Sequence, residues 1–311
     1  MEIRTFRPGD DVAQVSIYNE AAADLPKFKA ATLDEVRRRS RAPEYDPSTR
    51  FIALADGRPL GYAGYHLNGR VSYPWFRKGH DAVAQPLFER VLQAMKERGL
   101  TRAFAAYRAD WPVQQEFFQK NGFQLRREMV NFTLDLVDMP TPMARPSSTV
   151  GPATPDDIPA IQEFGTNILL IRERAALEAY LFHNPYFPAD SVFVLRNRAG
   201  APLAVGLLVA NPAYANPLQV DSAMPCFRLG AFGTEVMQTK RINGLFSFLA
   251  PDGRDVNPMA LDLLGYAAYK LRDTDVDTFG AQVPSDAGHL HRFYKQYFQR
   301  QASFPILDRP L

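Results

Sequence analysis

The residues able to do chemistry in this chain are few and scattered. Its histidines are His66, His80, His183, His289 and His291, and its single cysteine is Cys226. His289 and His291 stand two positions apart. That spacing turns the two imidazoles to different faces of a helix and argues against a metal pair. Cys226 has no second thiol to pair with and no His or Asn signature tied to it. Neither a disulfide, a Cys-rich metal site nor a cysteine nucleophile is expected. Glu116, Glu173 and Glu178 are bases by type. Glu173 and Glu178 lie five apart, so they do not face each other as an i, i+4 pair would, and a solvated surface is the simpler reading. His66 falls in the second strand of an expected hairpin, and His80 in a solvated loop.

Composition sets the frame for these groups. The 311 residues suit two domains of ordinary size, with 46% hydrophobic and 23% charged residues, as in a soluble globular chain. The net charge of +2 is too small to imply a nucleic-acid partner. The densest basic run, Arg37-Arg38-Arg39, follows Asp34 and Glu35 on an expected helix and reads as a solvated face. The sequence opens directly on foldable residues, Met1-Glu2-Ile3-Arg4, with neither a signal peptide nor a long apolar span, so a cytoplasmic protein with no membrane partner is expected.

The elements that must position the site residues are legible from periodicity. Ile3 to Phe6 reads as a strand, and a helix follows from the Pro8–Asp11 turn to about Ala22. Thr32 N-caps a second helix, with Glu35 at capping-box spacing. Phe51 to Ala55 and Leu60 to Leu67 form a hairpin about Asp56-Gly57-Arg58-Pro59. Arg70 to Tyr73 reads as a third strand ended by Pro74. A long helix from about Asp81 to Arg98 carries Leu87, Val91 and Met95 on one face and stops at Gly99. Thr101 to Tyr107 is a buried-type strand. Asp110 caps a helix with Pro112 in its first turn, and Phe123 to Leu136 reads as a closing hairpin.

The same order then recurs. Arg7-Pro8-Gly9-Asp10-Asp11-Val12 is echoed by Ala153-Thr154-Pro155-Asp156-Asp157-Ile158. Gly57-Arg58-Pro59-Leu60-Gly61 is echoed by Gly200-Ala201-Pro202-Leu203-Ala204, and Phe117-Phe118-Gln119-Lys120 by Phe293-Tyr294-Lys295-Gln296. The first two separations are nearly equal and the third is about thirty residues longer, the mark of a duplicated domain with an insertion in its second copy. The division is an N-terminal domain over 1–138, a Pro/Ser-rich linker over 139–148 and a C-terminal domain over 149–311, with the insertion near 211–241. Alternating strands and helices with hairpins imply an α/β layer structure, or α+β, on mixed sheets.

This order, with Asp110-Trp111-Pro112 through Phe117-Phe118-Gln119-Lys120-Asn121-Gly122-Phe123 and its partner His291-Arg292-Phe293-Tyr294-Lys295-Gln296-Tyr297-Phe298, resembles the GNAT superfamily of N-acetyltransferases. Its fold would be present as two tandem copies covering almost the whole chain. The resemblance implies an acyl-CoA donor, acetyl-CoA above all, with no metal. The donor's pyrophosphate would lie at the N-terminus of the long helix, on a loop of the form R/Q-x-x-G-x-G/A. In copy one that loop is Trp75-Phe76-Arg77-Lys78-Gly79-His80-Asp81-Ala82-Val83-Ala84. One register matches Gly79 and another places Ala82 and Ala84 at the small positions; Arg77 and Lys78 partly offset Asp81. In copy two it is Pro251-Asp252-Gly253-Arg254-Asp255-Val256-Asn257-Pro258, with Arg254 as its cation. Trp75 and Phe76 would cover the adenine or pantetheine, or pack at a strand end.

The resemblance also implies roles. A tyrosine on the late helix is the family's usual general acid: copy two has Tyr294 there, and copy one has Phe118, which cannot donate a proton. His66 stands where a general base can project. The expected activity is direct transfer of an acyl group to an amine on a small molecule or peptide. Copy one has the more basic loop and the fuller late-helix match, and is favoured for the cofactor. The rival is a non-catalytic acyl-CoA-binding or scaffold protein, since both loops depart from the pattern. A third reading gives the acceptor site, on a peptide or large amino sugar, to copy two and its insertion. That insertion would extend the sheet, line an acceptor pocket or form an interface such as that of a homodimer.

Overall fold

The computed structural model describes residues 1–41, 45–141, 149–166, 168–169, 171, 173–184, 187–210, 244–251 and 255–311. The insertion with Cys226, most of the expected linker and Arg254 lie outside the described residues. The chain divides into two compact units: residues 1–128 with 304–311, and residues 129–303.

The first unit begins with β1 (Glu2–Thr5), α1 (Asp10–Ala22) and α2 (Leu33–Ser40). The capping box forms as expected: Glu35 N–H donates to Thr32 Oγ1, and Thr32 N–H donates to the Glu35 carboxylate, both at 3.2 Å. Next come β2 (Arg50–Ala55) and β3 (Arg58–Gly64). Asp56 and Gly57 join them, both at positive φ (52° and 74°). That is the conformation a tight two-residue hairpin needs, and Asp-Gly supplies it at little strain. β4 is Trp75–Phe76, displaced from the expected 70–73. Arg70 and Val71 make only isolated bridges, to Phe104 and Tyr65, and pairing with β3 resumes after Pro74, which has no N–H to donate. A single 3-10 turn, Asp81–Val83, leads into α3 (Ala84–Glu97). Then follow β5 (Arg102–Ala106) and α4 (Pro112–Lys120). Asp110 does not cap α4. Its carboxylate takes both Arg108 Nε and Nη2, at 2.8 and 2.9 Å, a charge-assisted pair that outcompetes a neutral cap.

The sheet of this unit runs β1-β2-β3-β4, all antiparallel. Leu87, Val91 and Met95 of α3 are fully buried in its core with Phe51, Ala53 and Phe88. α1 packs against β3 and β4.

β6 is one strand, Gln124–Asp135, where the sequence suggested a hairpin. No Gly, Pro or Asn-Gly interrupts those residues to turn the chain back. The second unit continues with β7 (Val150–Pro152), α5 (Ile158–Phe164), α6 (Arg174–Phe182), β8 (Val192–Arg196), β9 (Pro202–Val209) and β10 (Gly244–Leu249). α7 (Asn257–Leu271), β11 (Thr278–Pro284), α8 (Gly288–Tyr297) and β12 (Gln299–Pro310) complete the chain. From β6 the strand order is β6-β11-β10-β9-β8-β7, and only the β10–β11 pair is parallel. Alternation along β8 sends Phe193 and Leu195 to the α7 core, and Val192 and Val194 to a second core with Ile158, Ile161, Leu177 and Leu181 of α5 and α6. Both sheet faces are therefore covered. The last stretch of β12, Ile306–Pro310, pairs antiparallel with β5 in the first unit.

Candidate functional site

Among the described residues, the ladder of the second unit opens at the parallel pair. β10 meets β11 only at Gly244 opposite Phe279 and Leu245 opposite Gly280. Beyond that, β10 stays paired with β9 through Leu249, and β11 with β6 through Pro284. Among the described residues, Phe246 to Leu249 thus have a strand on one side only, and the inner edge of β10 faces an opening between two diverging strands.

Tyr294, on α8, places its hydroxyl on that edge. It donates to the Phe246 carbonyl at 3.4 Å, one residue past the last paired position. The ring is 1% exposed and packs among Phe132, Phe248, Phe293 and Phe298. Burial drives the phenol pKa far above its ordinary value, against the pull of hydrogen bonds with the Ser247 side chain and the Phe248 backbone N–H. The hydroxyl therefore keeps its proton at neutral pH. At the start of the same helix, a cavity of about 110 Å³ is lined by Glu163, Thr166, Asp286 and His289 among others.

Copy one contains the same opening, but it is filled. Val71 N–H donates to Phe104 O and Phe104 N–H to Gly69 O, both at 2.9 Å, a parallel bridge like that at Gly244. Two residues on, Tyr73 N–H donates to the Tyr107 hydroxyl at 2.6 Å. Tyr107 is stacked on Phe118, the counterpart of Tyr294, with centroids 5.7 Å apart. Burial raises its pKa, partly offset by the Tyr73 N–H. Superposing the two parallel bridges, Arg70–Phe104 on Gly244–Phe279, puts Gln282 at the position of Tyr107. Gln282 does not reach across: its Nε2 donates sideways to Asn131 Oδ1 at 2.9 Å.

The basic loop of copy one is likewise engaged internally. Arg77 donates to Glu20 at 2.6 Å, to Pro59 O at 3.0 Å and to Ser16 Oγ at 3.2 Å. Lys78 N–H donates to the other Glu20 oxygen at 2.9 Å, and Lys78 Nζ pairs with Asp24 at 2.8 Å. A backbone N–H that an anion would need thus holds a carboxylate from α1. The Lys78 N–H, first among the causes, pulls the Glu20 pKa below its usual value. Gly79 sits at φ +80° with open space where a side chain would be; Ala82 lies in the 3-10 turn and Ala84 opens α3.

The remaining candidates are dispersed. His66 lies just past β3 with its Nε2 3.4 Å from Arg50 Nη2. Trp75 is buried against Tyr18, Tyr73 and Trp111, the packing role. Glu173 caps α6, accepting from Ala175 and Ala176 N–H at 2.9 and 2.6 Å. Glu116 pairs with Lys120 on the surface at 3.6 Å. His183 ends α6, and His291 lies edge-on to Phe132. The sequence did not single out Glu20, Tyr107 or Gln282. The Tyr107–Gln282 asymmetry becomes visible only when the two copies are aligned on their parallel bridges. Glu20 meets its loop 57 positions away, and nothing local announces it.

No family model matches the chain. Two mycothiol acetyltransferases are similar to part of it. That of Thermomonospora curvata is 43% identical over 61 residues, 19% of this chain and 20% of the relative. That of Acidothermus cellulolyticus is 37% identical over 70 residues, 22% of this chain and 21% of the relative. Each match thus spans about a fifth of the curated relative. Among solved structures, a GCN5-related N-acetyltransferase from Sphaerobacter thermophilus superposes with a TM-score of 0.61 at 14% identity, over 99% of this chain and 95% of that one. A tandem GNAT protein from the clavulanic acid biosynthesis pathway superposes with a TM-score of 0.56 at 13% identity, over 99% and 98%. The chain has the mixed-sheet fold of the GNAT N-acetyltransferases, in tandem.

Proposed function

We propose that this protein is an acetyltransferase that moves an acetyl group from acetyl-CoA to an amine, and that copy two carries the reaction. The observation that supports this is the Tyr294 hydroxyl on the unpaired edge of β10. Backbone N–H groups along that edge, which have no strand partner there among the described residues, can hold the thioester carbonyl as its oxygen gains charge. The amine, having given up its extra proton to solvent, attacks the carbonyl directly. The C–N bond forms as the C–S bond breaks, and Tyr294 gives its proton to the departing thiolate. The proton shed by the acylated nitrogen returns the tyrosine to its neutral form through solvent. The cavity at the start of α8 lies about 9 Å along the helix from Tyr294, from a rise of 1.5 Å per residue. Its carboxylates Glu163 and Asp286 suit a cationic amine, which is where we place the acceptor.

Copy one fits the donor poorly. Its slot holds Tyr107 and its loop holds Glu20, so we assign it a supporting role in spite of its more basic loop. The test is release of free CoA thiol from acetyl-CoA with a panel of small amines and amino-terminal peptides. Turnover that Tyr294→Phe lowers about a hundredfold in kcat supports the reading. Acetyl-CoA binding that is abolished by Arg77→Glu would move the donor to copy one and sink it.

A further inference from the structure

Two arginines and a histidine converge at one end of the copy-one hairpin. Arg50 opens β2, His66 lies two residues past β3, and Arg70 stands opposite Phe104. Arg50 Nη2 is 3.4 Å from His66 Nε2. Arg50 Nε is shut off from solvent and has no hydrogen-bond partner among the described residues. Burial, before any charge, lowers the Arg50 pKa, and among the described residues the groups that act on it most are Tyr45, Tyr62, Arg39 and Arg70, none of them a carboxylate. Among the described residues, the carboxylates around Tyr45 are engaged elsewhere: Asp10 with Arg4, Asp11 with Arg37, and Asp46 with Arg98.

The backbone makes room for this arrangement. A Cβ on Gly64 would stand 2.6 Å from Arg50 Cδ and 2.8 Å from Thr49 O, so only glycine lets the arginine stem lie across the neighbouring strand. A desolvated guanidinium with no counter-charge among the described residues is costly, and a second arginine beside it adds to the cost. An oxyanion would offset the charge of both arginines at once. It would accept from the Arg50 Nη groups and from Arg70 and His66 at the solvent side.

We infer that Arg50, His66 and Arg70 form an oxyanion site in copy one that seats the carboxylate or phosphate of a small ligand. The site is separate from the 77–84 loop and independent of the reaction proposed for copy two.

The test is isothermal titration of the whole chain with inorganic phosphate and with succinate, against sodium chloride at matched ionic strength. Saturable binding of at least one anion is expected, weakened about tenfold or more by Arg50→Gln. Lys96→Gln, an equal change of charge in the last turn of α3, is expected to leave it unchanged. Arg70→Gln, at a half-exposed position, carries the same expectation as Arg50→Gln, so the inference does not hang on one variant folding. Binding of phosphate alone identifies a phosphorylated ligand and binding of succinate alone a carboxylate, both in support. No saturable heat with either anion, or unchanged affinity in both arginine variants, overturns it.

Discussion

Two phenols separate the copies. In copy two the Tyr294 hydroxyl rests on an unpaired strand edge; in copy one the Tyr107 hydroxyl closes the equivalent edge by accepting from Tyr73 N–H. The same atom type therefore predicts opposite outcomes on deletion. Tyr294→Phe removes a long, weak bond, so stability is expected to change by about 1 kcal/mol or less while kcat falls about a hundredfold. Tyr107→Phe strands a buried backbone N–H, and a loss of about 1–3 kcal/mol is expected in urea unfolding with kcat unchanged. The reverse pattern would exchange the roles of the copies. His66 gives a third readout at this scale. Burial first, then the charges of Arg50 and Arg70, hold its pKa down from 6.5 to about 4. Between those values the unfolded chain binds a proton that the folded chain refuses. Stability is therefore complete above pH 6.5 and falls as pH drops towards 4. His66 is crowded by its neighbours yet keeps much of its surface open to solvent, so the desolvation is partial and the slope is shallow. His66→Gln is expected to flatten it in urea midpoints taken across that window.

At the scale of elements, what the sequence made legible was what local chemistry decides. Thr32 with Glu35, Asp56-Gly57, and the Leu87–Val91–Met95 stripe each contain their own instruction: a cap, a turn, a period. The stripe gives a direct test. Leu87 is fully buried beneath the sheet, and Leu87→Ala is expected to cost about 3 kcal/mol, read from the unfolding midpoint. A change under about 1 kcal/mol would mean that α3 is not packed as described. What escaped the sequence was what distant residues decide. Asp110 looks like a cap until Arg108 takes both its oxygens. Arg77 and Lys78 look like a phosphate grip until Glu20 and Asp24 arrive from α1. Tyr294 was legible as a position in a repeat, but the diverging strands that give its hydroxyl a purpose belong to the pairing of β10 with β11, which no local pattern encodes.

At the scale of the whole chain, the order of residues and the membership of units do not coincide. Residues 129–303 form one unit, and the final 304–311 return to the other. There Ile306 to Pro310 pair with β5, Leu307 is 2% exposed in the core, and Arg309 donates to Asn121 O at 2.5 Å and lies over the Phe123 ring. Arg102 and Asp308 add an ion pair. The last residues of the sequence are thus structural parts of the first unit. A break after Asp138, where the linker would suggest separating the copies, leaves β5 with a bare edge and the core without Leu307. A chain of residues 1–138 is therefore expected to unfold without cooperativity, and a synthetic 299–311 peptide added in trans is expected to restore a sharp transition. In the full-length chain, deletion of 304–311 is expected to abolish slow hydrogen exchange in β5 while residues of β8 and β9 stay protected. A 1–138 fragment that melts cooperatively by itself, with slow exchange in β5, would show that the returning strand is dispensable and that the duplicated unit is complete before the chain ends.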